Sequence, residues 1–132
     1  MKSIMKFAKP ALALCLCTTF SLAMAGQIVP YNQQTFDHLT ADGKPVVLDI
    51  SATWCPTCKA QKPIVESLMK QPAFDDVTLM RIDFDSQKPL LRKYRVTLQS
   101  TLVAFKGEKE VGRSVGDTTR SGLQSLFEKT VH

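Results

Sequence analysis

A chain of 132 residues, 44% hydrophobic and 22% charged, suits one domain with a single modest core. Its formal net charge of +5 overstates the charge of the folded part. Lys2, Lys6 and Lys9 lie at the very start, and without them fourteen basic residues face twelve acidic ones, a balance of +2, which gives no argument for nucleic-acid or membrane binding.

Residues 1–25 read as a secretion signal. A basic start is followed by Ala11–Ala23, apolar or small throughout, and Ala23-Met24-Ala25 fits small-x-small cleavage before Gly26. The apolar run is shorter than the roughly 20 residues that span a bilayer. Leu14 before Cys15 argues against a lipoprotein start. Cleavage removes Cys15 and Cys17, so Cys55 and Cys58 are the remaining thiols of a 26–132 domain.

Gln27–Pro30 reads as a short strand or arm, and Gln33–Leu39 as a short helix with Phe36 and Leu39 on one face. Asp42-Gly43-Lys44-Pro45 is a turn. Val46–Ser51 is a nearly unbroken apolar run, as for a strand buried on both faces. Cys55–Lys70 is a helix with Ile64, Val65, Leu68 and Met69 inward and Pro63 expected to kink it. Val77–Phe84 is a second buried strand. Pro89 opens a short helix to Tyr94. Thr101–Phe105 and Glu110–Val115 form a hairpin about Lys106–Lys109. Thr118 or Asp117 caps a last helix bearing Leu123, Leu126 and Phe127. Strands alternating with helices and ending in a hairpin imply an α/β fold, one mixed sheet with helices on both faces.

Between the Val46 strand and the Cys55 helix stands Trp54-Cys55-Pro56-Thr57-Cys58. Two cysteines at this spacing can close a disulfide or open to a dithiol. A helix N-terminus favours the thiolate, the nucleophile of thiol–disulfide exchange. Cys55 is expected to be the exposed, attacking sulfur. Cys58, one turn inward, is expected to resolve the mixed disulfide. As a metal site the pair leaves a tetrahedral zinc two ligands short, and His38 and His132 are far from it in sequence. Asp83 and Asp85 are expected to end a strand at the surface.

From Val29 to Phe127 the chain resembles the thioredoxin superfamily. The resemblance rests on Asp49 in the first long strand, Trp54-Cys55-x-x-Cys58-Lys59, Pro63, Phe105-Lys106-Gly107-Glu108 and Gly116. Arg81 stands where the family has a lysine near the aspartate. The Pro56-Thr57 pair resembles exported thioredoxin-like reductases of cytochrome c maturation, whose other inserted features are absent. The resemblance implies a thioredoxin fold and a thiol–disulfide oxidoreductase without a cofactor. Asp49 would accept the Cys58 proton through water, or simply pair with Arg81. The other site residues carry paired readings. Trp54 would shield the cysteines, present a docking face or pack in the core. Pro56 rigidifies the loop, Thr57 offers a hydroxyl to the Cys55 sulfur, and Lys59 holds the thiolate or is merely solvated.

The family's cis-proline aligns with Ser100, in a substrate loop of Gln99, Ser100 and Thr101. A cis bond before serine costs about 3–4 kcal/mol, so the loop is either trans and reshaped or cis and strained. A serine there can also meet a sulfur or help to bind a metal. The expected activity is disulfide reduction in exported proteins by a periplasmic monomer that is fed by a membrane thiol transporter. The alternatives are a disulfide donor, a copper- or zinc-binding protein, or a binding module with incidental thiols.

Overall fold

The computed structural model describes residues 25–132. The expected signal segment, apart from Ala25, lies outside the described residues. Five strands form one sheet: β1 (Gln27–Pro30), β2 (Pro45–Ser51), β3 (Thr78–Asp83), β4 (Thr101–Lys106) and β5 (Lys109–Val115). Their order is β1-β3-β2-β4-β5. β1, β3 and β2 run parallel, while β4 and β5 are antiparallel to their neighbours. The helices are α1 (Gln33–Ala41), α2 (Pro56–Met69), α3 (Lys88–Lys93) and α4 (Arg120–Val131), with a 3-10 turn at Pro72–Phe74 that the sequence pattern does not signal.

β2 is central, and Val46 to Ile50 are all buried, as an apolar run in a sheet covered on both sides requires. Val47, Leu79, Leu102 and Ala104 pack with Val65, Leu68 and Met69 of α2 and Leu123, Leu126 and Phe127 of α4. Val46, Leu48, Ile50, Met80, Val103 and Phe105 face the other way, against Phe36 of α1 and Leu91 of α3. The mixed sheet with helices on both faces is therefore as expected. By strand alternation Asp49 falls on the α2–α4 side, beside Arg81 in the β2–β3 register.

Local chemistry sets the boundaries. Asn32 caps α1 by accepting the Thr35 N–H at 2.9 Å. Pro63 sits inside α2 without ending it, although it has no N–H to give the Lys59 carbonyl. The α4 cap differs from expectation. It is Thr119, whose hydroxyl accepts the Gly122 N–H at 3.2 Å. Asp117 supports it instead, accepting from the Thr119 N–H at 2.8 Å. Both residues have side-chain acceptors, and the one with extended backbone directly before the helix takes the cap.

Candidate redox site

Three segments meet at the end of the sheet where β2 stops and β4 starts: the β2–α2 loop, the loop before β4, and the loop between β5 and α4. The first turns on Ala52, whose carbonyl accepts the Cys55 N–H at 3.2 Å. Cys55 is the N-cap of α2, with extended backbone, and Pro56 fills the first helical position, where an N–H is not needed. The Cys55 Sγ accepts the Cys58 N–H at 3.1 Å. A sulfur thus occupies the capping place usually held by oxygen, at the positive end of the helix dipole.

The two cysteines are free thiols. Their burial reverses the expected order: Cys55 has 0% of its surface exposed and Cys58 has 8%. The reason is the loop before β4. No peptide bond among the described residues is cis, and both Arg95 and Ser100 adopt left-handed backbone, with φ of 54° and 58°. That shape brings the Ser100 hydroxyl to 3.2 Å from the Cys55 Sγ and 3.0 Å from the Cys58 Sγ. The Ser100 carbonyl accepts the Gly116 N–H at 2.9 Å and the Gln61 Nε2–H at 3.4 Å. Gln61 also donates to the Asp117 carbonyl at 2.8 Å, so one buried amide ties α2 to both neighbouring loops. Sequence reasoning missed Gln61. Its signal was a polar residue three positions beyond Cys58, on the helix face that turns inward.

Burial pushes the Cys55 thiol up, but four hydrogen bonds more than offset it. They come from the Cys58 thiol, the Ser100 hydroxyl and the backbone N–H groups of Cys58 and Thr57, and they leave Cys55 below the ordinary thiol value. Cys58 moves up instead, through burial and through its donation to Cys55, with Ser100 and the Ala52 backbone opposing. The pair therefore holds one ionised and one protonated sulfur over a range of pH, an asymmetry suited to sequential exchange.

Beyond Cys58 a cleft of about 320 Å³ is lined by Asp49, Lys59, Gln61, Lys62 and Arg81, among others. Burial raises the Asp49 carboxyl above the usual carboxylate range, and Arg81 offsets only part of that. Arg81 Nε lies 3.6 Å from Asp49 Oδ2, while its Nη2 donates to Glu66 at 3.0 Å. Glu66, also missed, shares the cation that the sequence pattern assigns to Asp49 alone.

The remaining candidates divide. Trp54 is 54% exposed rather than packed in the core, and its Nε1–H donates to Asp85 Oδ2 at 2.8 Å. Asp83 ends β3 and Asp85 follows it, both at the surface, as expected. Pro56 and Lys59 are exposed. Thr57 brings its backbone N–H toward Cys55, not the expected hydroxyl. Gln99 is half-buried, and the Thr101 hydroxyl turns back to the Leu98 carbonyl at 2.7 Å. His38 is exposed beside Asp42, and His132 is the last residue of the chain. Among the described residues, no group of three or more His, Cys, Asp or Glu gathers as metal ligands.

The thioredoxin family model matches residues 27–129. The chain is 36% identical to thioredoxin of Chlamydia trachomatis over 98 residues, covering 74% of this chain and 93% of that protein. It is 38% identical to thioredoxin-2 of Saccharomyces cerevisiae over 92 residues, covering 69% and 86%. Among solved structures it is similar to Trxlp of Edwardsiella tarda, at 39% identity and TM-score 0.74, over 76% of this chain and 98% of that one.

Proposed function

The chain belongs to the thioredoxin family and is a thiol–disulfide oxidoreductase; on that premise we propose that it is exported to the periplasm and reduces disulfides there in exported proteins. The observation that supports this best is the Cys55 sulfur set as the α2 cap, its thiol shifted down beside a Cys58 thiol that is shifted up. A thiol that ionises more readily presents more of the thiolate, the attacking group that reduction needs. The Cys55 thiolate attacks one sulfur of the substrate disulfide, forming a mixed disulfide and releasing the other sulfur as a thiolate that takes up a proton. Cys58 then loses its proton toward Asp49 through the shared cleft and attacks Cys55, freeing the second substrate thiol. The buried Cys55 meets a substrate once the Ser100 loop yields. The oxidised pair is reset by a dithiol donor, for which a membrane thiol transporter is the partner that fits an exported domain.

Export rests on residues 1–25, with their basic start, apolar run and Ala23-Met24-Ala25. One experiment addresses both halves of the proposal. The full-length Cys58→Ser variant, expressed in a Gram-negative cell, is expected in the periplasmic fraction, beginning at Gly26 and bound to client proteins by disulfides that dithiothreitol releases. Retention of residues 1–25 in the cytoplasm would sink the export reading. Absence of adducts, combined with failure of the wild type to reduce insulin, would sink the reductase reading.

A further inference from the structure

We propose that the Ser100 hydroxyl is a specificity-determining group of the redox centre: by hydrogen-bonding both sulfurs it stabilises the dithiol over the disulfide, and so directs the domain, as a reductant, to labile and mixed disulfides instead of stable structural ones. The substrate class rests on the reductase reading above; the effect on the dithiol does not.

The argument starts from an unfavourable backbone. Serine at φ 58° is strained, whereas glycine would adopt that conformation freely. Strain of this kind persists where the surroundings over-determine it. Here the carbonyl of the same residue is held by the Gly116 N–H and by Gln61, and the side chain is 2% exposed. What serine keeps and glycine lacks is a hydroxyl, and it lies 3.2 Å and 3.0 Å from the two sulfurs.

A hydroxyl has one proton to give and lone pairs with which to accept. In the dithiol the Cys58 S–H is given to the Cys55 sulfur, and the Ser100 hydroxyl donates to the Cys55 thiolate while lying 3.0 Å from the Cys58 sulfur. In the disulfide neither sulfur carries charge, so the hydroxyl loses its charged acceptor. The balanced reaction is dithiol plus substrate disulfide giving the Cys55–Cys58 disulfide plus two substrate thiols, with two electrons and two protons passing to the substrate. A contact present on the dithiol side alone pulls this equilibrium back and makes the domain a milder reductant. Strained and exposed disulfides have higher potentials than structural ones and remain within reach. The groups facing the pair are few. Cys58 is the titratable neighbour of Cys55, and Asp49, Arg81, Lys59 and Lys62 line the cleft on the Cys58 side.

The test uses the full chain with Cys15→Ser and Cys17→Ser, so that the pair alone titrates. Ser100→Gly removes the hydroxyl and the strain; Ser100→Ala removes the hydroxyl and keeps the strain. Equilibration against glutathione is expected to move both variants about tenfold toward the domain disulfide, equivalent to about 30 mV for a two-electron couple. Thiolate absorbance is expected to appear at higher pH in both. Constants within twofold of wild type in both variants, or a shift in Ser100→Gly alone, would overturn the proposal, the latter by assigning the effect to backbone strain. If both variants shift while the wild type fails to reduce insulin, the hydroxyl's role stands and the reductase direction falls.

Discussion

Asp49 shows how one buried side chain can weaken a fold and serve its chemistry. Its folded carboxyl holds a proton more tightly than the unfolded chain does, because burial outweighs the attraction of Arg81. Stability is therefore full at pH below the unfolded value and falls as pH rises through the folded one, which makes ionised Asp49 a net cost at neutral pH. Asp49→Asn is expected to raise the melting temperature by a few degrees near neutral pH, with the gain fading as the pH drops into the ordinary carboxylate range. The same substitution removes the proton acceptor proposed for Cys58 and is expected to slow insulin reduction by about tenfold or more. Thermal melts at several pH values, with turnover measured alongside, check both signs. Ser100 teaches a different lesson at this scale. Proline, with φ fixed near −65°, does not fit the conformation that Ser100 adopts at 58°, so the residue standing in the family's proline position brings a different loop with it.

At the scale of elements, α2 does most to assemble the site. Its N-terminus holds both cysteines, its inner stripe of Val65, Leu68 and Met69 anchors it to the sheet, and Gln61 ties it to the loops before β4 and α4. Gln61→Ala leaves the Asp117 carbonyl without that donor and loosens the Ser100 cover. The expected cost is about 1–3 kcal/mol in urea unfolding, with faster alkylation of Cys55 by iodoacetamide. The helix itself was legible in the sequence because Cys55, Pro56 and the apolar spacing are local signals, and the same holds for β2, whose continuous apolar run needs no partner to be recognised. The Ser100 contact was only partly legible. An alignment flags a missing proline, but left-handed backbone and a sulfur on each side of one hydroxyl arise from tertiary packing of residues more than forty positions apart. Cys55 was expected to be exposed for the same reason: helix position indicates a tip, but not the loop that covers it.

Across the whole molecule the sheet separates two apolar layers with different duties. The layer under α2 and α4 includes Phe74 and Phe127, fully buried with ring centroids 5.5 Å apart in edge-to-face contact. The other gathers Phe36, Tyr94 and Phe105 under α1 and α3, with Tyr31 and Tyr94 hydroxyls 2.6 Å apart. The redox site sits at the end of the sheet, removed from the Phe74–Phe127 pair. Phe127→Ala is expected to destabilise the domain by about 3–5 kcal/mol in chemical denaturation. The pH at which Cys55 ionises is expected to stay unchanged wherever the variant remains folded, since the groups that set it lie on α2 and the Ser100 loop. The sealed position of Cys55 carries one more consequence. Oxidative damage to cysteine begins when peroxide reaches a thiolate and makes sulfenic acid, and it proceeds to acids that cellular thiols do not repair. A sulfur with no accessible surface is shielded from that first collision, so the cover over Cys55 protects a thiol whose lowered pKa would otherwise favour attack by peroxide.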